Sequence, residues 1–221
     1  MSDRKTYVIL GLGRFGVTLA KELTNYNQDV IAIDKDISKV ERVSSYVANA
    51  LCLDYTDIDA LKEAGIEDAD VGIVTSASML DQEIMGLVNL KELGVPEVLA
   101  KADSGKIAVL LKKVGADKTF TPEHDMAIRC AKKLVSADIL ELFNVDNDHT
   151  IFELKVQKNW IGHSLKELDL RNKFSINVIG VNREGNMNMN LNPDDKFKEE
   201  DVVLLVGPND IFKKMNSINK I

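Results

Sequence analysis

One short stretch, VILGLGRFGVTLAKEL from position 8 to 23, constrains the fold of this chain more than any other. An apolar run leads into three glycines spaced as GxGxxG, and residues with helical spacing follow them. This order predicts a strand, a tight turn and a helix whose N-terminus can hold a phosphate. Gly11 would permit the turn, Gly13 the approach of a phosphate to backbone N–H groups, and Gly16 the close packing of helix on strand.

The residues around this loop indicate which nucleotide it binds. Asp34 ends the next apolar run, about twenty residues on, where a carboxylate accepts hydrogen bonds from a ribose diol and repels a 2′-phosphate. NADP is therefore disfavoured, and NAD, ATP or ADP remain. Arg14 lies inside the loop and Lys101 ends a later apolar run, so two cations point to one crevice. They favour a nucleoside di- or triphosphate over a nicotinamide cofactor; the alternative is two surface charges beside the site.

Short runs rich in Val, Ile and Leu alternate with segments of helical period from Thr6 to Phe120. This alternation is typical of an α/β fold with a parallel sheet. It predicts a Rossmann-type doubly wound parallel sheet in a nucleotide-binding domain over residues 1–122. The predicted strands are TYVIL, DVIAID, ALCLD, DVGIVTS, EVLAK and KTF.

The pattern changes after this domain. A longer helix is predicted from Glu123 to about Phe143, and its two apolar stripes favour packing against a second copy of the chain. This crossover helix and a polar linker occupy 123–146. Residues 147–221 predict a small α+β domain with a hairpin turn at Glu184-Gly185-Asn186 and a final helix.

Polar residues follow the third and fourth predicted strands, on the side where ligands bind to open α/β sheets. Asp54 and Thr56 come after the third strand, and Thr75 and Ser76 come after the fourth. These side chains could contact adenine or ribose, or they could be ordinary N-caps of the helices that follow. The sequence leaves both interpretations open.

The bulk composition excludes several classes of function. The formal charge is −7 and the pI is near 5.1, so no general attraction to nucleic acid or to an anionic membrane is expected. No apolar run reaches roughly 18 residues, and we expect a soluble, cytoplasmic protein. Cys52 and Cys130 form no CxxC motif, and we expect both to be small buried side chains.

Several motifs together resemble a known family. GLGRFG, IDKD, CLDYTD, AKADS and KVGADKTFTPEHDMAIRCA, in this order and spacing, resemble the RCK family, whose two parts are the TrkA-N and TrkA-C domains. WIGHSLKELDLRNKFSINVIGVNREG is similar to the second part, so the resemblance covers nearly the whole chain. It is strongest to the cytosolic gating subunits of bacterial Ktr potassium transporters. Such subunits form homodimers that assemble into an octameric ring beneath a membrane potassium-translocating subunit of the KtrB, KtrD or TrkH type, at the inner face of the membrane.

For the N-terminal domain, the resemblance implies exchange of ATP and ADP, with Arg14 reading the terminal phosphates. It also implies that Glu123 binds a divalent or monovalent cation near those phosphates. Judged from the residues alone, Glu123 is an acid in the first turn of a helix, where it complements the helix dipole. The predicted nucleotide-binding residues are Gly11, Gly13, Arg14, Phe15, Gly16, Asp34, Lys35, Asp54, Thr56, Thr75, Ser76 and Lys101.

For the C-terminal domain, the resemblance implies an inhibitory cyclic di-AMP site between two copies of the chain. Arg171 and Asn177 match the polar contacts of the family. The alternative is that INVIGV is an ordinary half-buried strand and that Arg171 is a surface charge with no ligand. The other predicted contacts are Asp169 and the apolar residues Leu165, Ile176, Val178 and Pro193.

Two other functions compete with this interpretation. A TrkA-type regulator that responds to NAD(H) would share every glycine of the loop and Asp34. An NAD-dependent oxidoreductase would need a general acid or base, and no histidine lies in a context that suggests a catalytic pair. We therefore expect a binding module rather than an enzyme. The three histidines are His124, His149 and His163.

Overall fold

A computed structural model of the chain describes residues 4–75, 79–135, 139–146 and 148–210. The chain divides into two compact units, an N-terminal unit (Met1–Asp125) and a C-terminal unit (Met126–Ile221). No helix among these described residues is long and apolar enough to span a membrane. Each unit has its own sheet and its own hydrophobic core.

The N-terminal unit contains the predicted doubly wound sheet, which is confirmed. All of its strand pairs are parallel, and the spatial order is β3-β2-β1-β4-β5-β6. The order reverses between β1 and β4, which is the point where open α/β sheets bind ligands. The strands are β1 (Thr6–Leu10), β2 (Asp29–Asp34), β3 (Asn49–Cys52), β4 (Val71–Val74), β5 (Glu97–Lys101) and β6 (Lys118–Phe120).

Helices cover both faces of this sheet, so its central strands are apolar on both sides. On β1, Val8 and Leu10 belong to the core on one face and Ile9 to the core on the other. Side-chain caps start three of the helices, from Asp36, Asp57 and Ser104. The helices are α1 (Arg14–Asn25), α2 (Ile37–Val43), α3 (Ile58–Glu63), α4 (Leu80–Glu92) and α5 (Gly105–Val114), with a 3₁₀ turn at Ile66–Asp68.

The long helix predicted to reach Phe143 is wrong in its second half. Helix α6 (Pro122–Val135) is followed by a strand, β7 (Ile139–Asn144), which pairs antiparallel with β8 (His149–Lys155). The sequence ILELF has apolar residues that suit either a helix or a strand, and pairing with β8 decides between them. The range 123–146 thus contains a strand of the C-terminal sheet.

The C-terminal unit has the small α+β architecture that was predicted. Its antiparallel sheet has the order β10-β9-β11-β8-β7. Trp160 and Phe152 are fully buried in its core. Glu184 and Gly185 both have positive φ, 52° and 83°, as a two-residue type I′ hairpin turn requires. The remaining elements are α7 (Leu165–Leu168), α8 (Leu170–Phe174), β9 (Asn177–Arg183), β10 (Asn186–Asn188) and β11 (Val202–Pro208).

Two smaller expectations have different outcomes. The prediction that Cys52 and Cys130 are buried is wrong, because both thiols are exposed. Cys52 follows the apolar residues of an edge strand, where its Sγ donates to the carbonyl of Lys35 at 3.5 Å. The predicted final helix lies in residues 211–221, outside the described residues.

Candidate functional site

The glycine loop between β1 and α1 is held by backbone contacts that leave no room for a side chain at its end. Gly11 has a φ of 96°, and its N–H donates to the carbonyl of Ile33 at 2.8 Å. A Cβ atom on Gly16 would lie 2.2 Å from the Gly11 oxygen and 2.7 Å from Oγ1 of Thr75. Gly16 therefore allows α1 to pack against β1, which is the packing role expected of the third glycine.

Gly13 faces open space, in contrast to the tightly packed Gly16. A Cβ atom built there would meet no atom of the described residues within 4 Å. Gly13 is the N-cap of α1 and has no side chain to occupy the helix start, and Arg14, the first helical residue, is exposed. The start of this twelve-residue helix thus combines free N–H groups, an open surface and the guanidinium of Arg14. This combination suits a phosphate group.

Asp34 lies beside this loop and is already paired with a lysine. The residue is 5% exposed, and its carboxylate accepts from the N–H of Leu12 at 2.7 Å and from that of Asp36 at 3.0 Å. Lys39 places its Nζ 3.1 Å from Oδ2. Sequence reasoning missed Lys39, although its position in the first turn of the helix after β2 was a usable signal. Asp34 thus fixes the loop and offers only its remaining lone pairs to a ribose.

A cleft of about 510 Å³ opens next to Gly13. Three cations line it, and only Arg14 among them was predicted from the sequence. Two of these positive charges are offset, because Asp36 also lines the cleft and Asp34 pairs with Lys39, so the cleft keeps a small positive excess. Its lining residues are Leu12, Gly13, Arg14, Val17, Thr18, Asp36, Ser38, Lys39 and Arg42.

Lys101 and Glu123, which the sequence suggested separately, form an ion pair. Nζ of Lys101 lies 2.8 Å from Oε1 of Glu123 and 3.4 Å from Oδ1 of Asp103. Lys101 is 5% exposed. Burial opposes its charge, but the two carboxylates raise its pKa above the ordinary value, and the hydrogen bond from Lys101 lowers the pKa of Glu123. Both groups are therefore charged near neutral pH.

Glu83 on α4 was missed by sequence reasoning. It is 4% exposed, and its Oε1 has no hydrogen-bond partner among the residues that the structure describes. Burial raises the pKa of Glu83 to about 7, with repulsion from Asp103 adding to the shift and Lys101 opposing it. The signal was present in the sequence, because Glu83 occupies the apolar stripe of α4 that continues with Leu87 and Leu90.

Lys101 and the glycine loop lie at the same edge of the sheet. In the β5–β6 ladder Lys101 is paired with Phe120. The ring of Phe120 lies 5.2 Å from the ring of Phe15, which directly follows Arg14 in α1. Phe15, predicted as a nucleotide contact, therefore joins the start of α1 to the strand beside Lys101.

The other predicted polar residues have defined local roles. Asp54 accepts from the N–H and the hydroxyl of Thr56, at 3.0 and 2.7 Å, and these bonds lower the pKa of Asp54. The hydroxyl of Thr75 donates to Gly11 at 2.5 Å, so Thr75 braces the loop and does not cap α4, whose N-cap is Met79. Lys35 is exposed, and Ser76 lies outside the described residues.

The predicted cyclic di-AMP residues fall into two groups. Arg171, Asn177 and Pro193 are exposed, and the carbonyl of Pro193 accepts from the N–H of Lys166. Ile176 is 1% exposed and packs in the core, so the expectation that it forms an open wall needs correction. Partly buried positions are taken by Leu165, Val178 and Asp169, the last of which has a φ of 49° and accepts from Asn172 at 2.7 Å.

A cavity of about 360 Å³ adjoins the β9–β10 hairpin of the C-terminal unit. Leu165 lines it and is the one predicted cyclic di-AMP residue among its described lining residues. Arg183, a second lining residue, donates from Nε and Nη2 to the carboxylate of Asp201 at 2.7 and 2.6 Å. Asp201 also accepts from the N–H of Lys198 at 2.8 Å. Burial opposes the charge of Asp201, yet these donors hold its pKa below the ordinary value.

Comparison with known proteins matches both units. The TrkA-N domain model matches residues 7–122, and the TrkA-C domain model matches residues 149–219. The chain belongs to the RCK family. As an RCK protein it is 31% identical to the Ktr system potassium uptake protein C of Bacillus subtilis, over 92% of each chain. It is 28% identical to the Ktr system potassium uptake protein A of Vibrio alginolyticus, over 97% of this chain and 98% of that one.

A solved structure described as the GsuK channel bound to NAD shares the fold of this RCK protein. The TM-score is 0.63 at 15% sequence identity, and the match covers 99% of this chain. This RCK protein spans 40% of the length of the channel chain. Neither of the two potassium uptake proteins is named as an enzyme, in keeping with the expectation of a binding module.

Proposed function

We propose that this RCK protein is the regulatory subunit of a potassium uptake system and that ATP and ADP are its effectors. The observation that carries the proposal is the open surface over Gly13, next to the exposed Arg14 at the start of α1. The two Ktr relatives, matched over nearly their whole length, support the link to potassium uptake.

The two nucleotides differ in one terminal phosphate, and a regulator must convert that difference into free energy. Arg14 is exposed at the helix start, where its guanidinium can bind terminal phosphate oxygens with two hydrogen bonds. An effector shifts an equilibrium between two states only as far as its affinities for them differ. Discrimination between ATP and ADP through Arg14 is therefore the physical core of the proposed regulation.

Glu123 is the proposed ligand for a divalent or monovalent cation beside the phosphates. Its side chain is 68% exposed, and Oε1 pairs with Lys101, so the carboxylate remains accessible from solvent. A cation held there would offset the phosphate charges. We propose that Glu123 also compensates the positive charge of Lys101 when no nucleotide is bound.

The proposed partner is a membrane potassium-translocating subunit of the KtrB, KtrD or TrkH type. Dimers of this RCK protein would assemble into an octameric ring against the inner face of the membrane. This part of the proposal rests on membership of the family, because the structure describes a single chain.

We further propose that cyclic di-AMP binds the C-terminal unit as an inhibitor. Arg171 and Asn177 are exposed and free to contact a ligand, and Val178 is partly buried next to Asn177. Since both nucleotide sites are proposed on different units, the two ligands should bind without competing.

Isothermal titration calorimetry with ATP, ADP, NADH and cyclic di-AMP tests the proposal. We expect ATP and ADP to bind more tightly than NADH and cyclic di-AMP to bind at a separate site. Arg14→Ala should reduce the preference for ATP over ADP by about tenfold, the equivalent of one charge-assisted contact. Arg4→Ala, at an exposed arginine paired with Asp29 at the start of β2, is the matched control. Tightest binding of NADH would favour an NAD(H)-responsive regulator.

A further inference from the structure

We propose that Glu83 is a proton-binding site coupled to the nucleotide site, so that protonation of Glu83 and binding of an anionic nucleotide favour each other. The inference rests on the proposed function, since it needs a nucleotide at the glycine loop. It adds a second ligand, the proton, at a residue that lies outside every predicted contact.

Glu83 is a buried acid. The side chain lies on the buried stripe of α4, it is 4% exposed, and its Oε1 accepts no hydrogen bond from the described residues. An ionised carboxylate in such a place has lost its hydration at Oε1 without a replacement donor among the described residues. Protonation removes this cost, because the neutral acid is far easier to bury.

Charged side chains nearby act on Glu83. From the end of β5 these are Lys101, which lowers its pKa, and Asp103, which raises it. Lys101 has the hydrogen-bonded carboxylates of Asp103 and Glu123 on its ammonium group. Tyr55, a buried phenol, packs against α4 where a Cβ on Gly86 would lie 3.0 Å from its ring.

Ladder pairing and ring contacts connect Lys101 to the nucleotide site. Lys101 is paired in the ladder with Phe120, whose ring contacts Phe15 beside Arg14. Thr75, at the end of the intervening strand β4, donates to Gly11 in the loop itself. Phosphates bound at the loop would therefore lie one strand away from Lys101, whose charge acts on Glu83.

The coupling follows from charge. Added phosphates make ionisation of Glu83 less favourable, because their negative charge opposes the favourable effect of Lys101 on the Glu83 carboxylate. Because the pKa of Glu83 is already about 7, both of its forms are populated at neutral pH. Binding of a nucleotide must then take up protons, and by linkage a lower pH must tighten binding. We expect about a threefold to tenfold gain in nucleotide affinity from pH 8 to pH 6 that depends on Glu83.

The test counts protons during titration of the full-length protein with ATP and with ADP at pH 7. Calorimetry in PIPES and in Tris, buffers with different ionisation enthalpies, gives the number of protons taken up per nucleotide. Glu83→Gln removes the titrating group and keeps the side-chain shape, and Glu92→Gln at the exposed end of α4 is the matched control. The phosphates of the nucleotide titrate equally in all three proteins, so only the difference between proteins is interpreted.

The wild type and Glu92→Gln should take up about 0.3 to 0.5 more protons per nucleotide than Glu83→Gln. Equal proton uptake by all three proteins, with nucleotide still bound, overturns the inference and leaves the proposed function standing. If neither ATP nor ADP binds the wild type, the inference and the proposed function are both overturned. A carbon-13 NMR titration of the Glu83 carboxyl in the wild type needs no variant. It should show the pKa rising when ATP is added, and an unchanged pKa also overturns the inference.

Discussion

Glu83 in the N-terminal unit and Asp201 in the C-terminal unit are both buried acids, but their surroundings differ. Asp201 is 1% exposed and receives two hydrogen bonds from Arg183 and one from Lys198 N–H. Glu83 is 4% exposed and has an oxygen without a donor among the described residues. A paired buried charge fixes a structure, whereas an unpaired one responds to solution conditions. The role of a buried acid therefore depends on the hydrogen-bond donors around its carboxylate and not on burial alone.

Asp201→Asn should have the largest effect on stability. It removes the charge that pairs with Arg183 and replaces one of the two acceptor oxygens with an NH2 group, which has no acceptor among the three donors that Asp201 serves. We therefore expect the C-terminal unit to lose about 3 kcal/mol of unfolding free energy. Trp160 is the single tryptophan of the chain and is fully buried in this unit, so its fluorescence during urea unfolding reports the loss. Glu200→Gln, at an exposed neighbour, is the control. An equal response of both variants would contradict the assigned pairing.

Glu83→Gln should act in the opposite direction. At pH 8 the wild-type carboxylate is ionised and poorly solvated, so the amide should raise the unfolding free energy of the N-terminal unit by about 1 to 2 kcal/mol. Amide hydrogen exchange of the β1 strand measures this change, with Glu92→Gln as the matched control. A loss of stability at pH 8 would show that the Glu83 carboxylate has a favourable partner after all.

The two acids should also give pH dependences of opposite sign. The pKa of Glu83 is raised to about 7 from an ordinary value of 4.5, so the folded unit binds more protons than the unfolded chain and its stability falls as pH rises between these values. The pKa of Asp201 is lowered from an ordinary 3.8, so its contribution is complete above that value and is lost as pH falls below it. Amide exchange and Trp160 fluorescence across pH 3 to 8 compare the two units. If the stabilities of the two units changed with pH in the same direction, the proposed difference between Glu83 and Asp201 would be wrong.

The smallest effect is expected from a change of backbone preference alone. Glu184 has a φ of 52° in the hairpin turn, a conformation that asparagine adopts more readily. Glu184→Asn should therefore stabilise the C-terminal unit by about 0.5 kcal/mol, equally at low and at high salt concentration. Trp160 fluorescence measures the gain. A gain that disappears at high salt would mean that the charge of Glu184, rather than its backbone, was responsible.

Much of the N-terminal unit could be predicted because its signals are local. The glycine spacing, the apolar run before it and Asp34 after the next strand all lie within about thirty residues, the length of one βαβ unit. The end of an apolar run places Lys101 at the ligand edge of the sheet, whereas only the family resemblance places Glu123 near the phosphates, and neither argument pairs the two residues. Their contact depends on where β5 and α6 lie relative to each other, which no local pattern contains.

The parts that were missed depend on pairing between distant segments. Arg183 meets Asp201 because Asn182 and Val202 are partners in the β9–β11 ladder, and that register is set by the whole sheet. The sequence ILELF fits a helical and a strand period equally, and only the pairing with β8 makes it the strand β7. Glu83 was visible as an acid in an apolar stripe, but its missing donor is a property of the packed unit.

The position of β7 has a practical consequence for anyone who dissects this protein. β7 is the outer strand of the C-terminal sheet and satisfies one backbone edge of β8. A fragment started near residue 149, where the TrkA-C match begins, would lack β7 and present a bare strand edge to other molecules. Such a fragment should self-associate through that edge, whereas one started at Met126 keeps the edge covered.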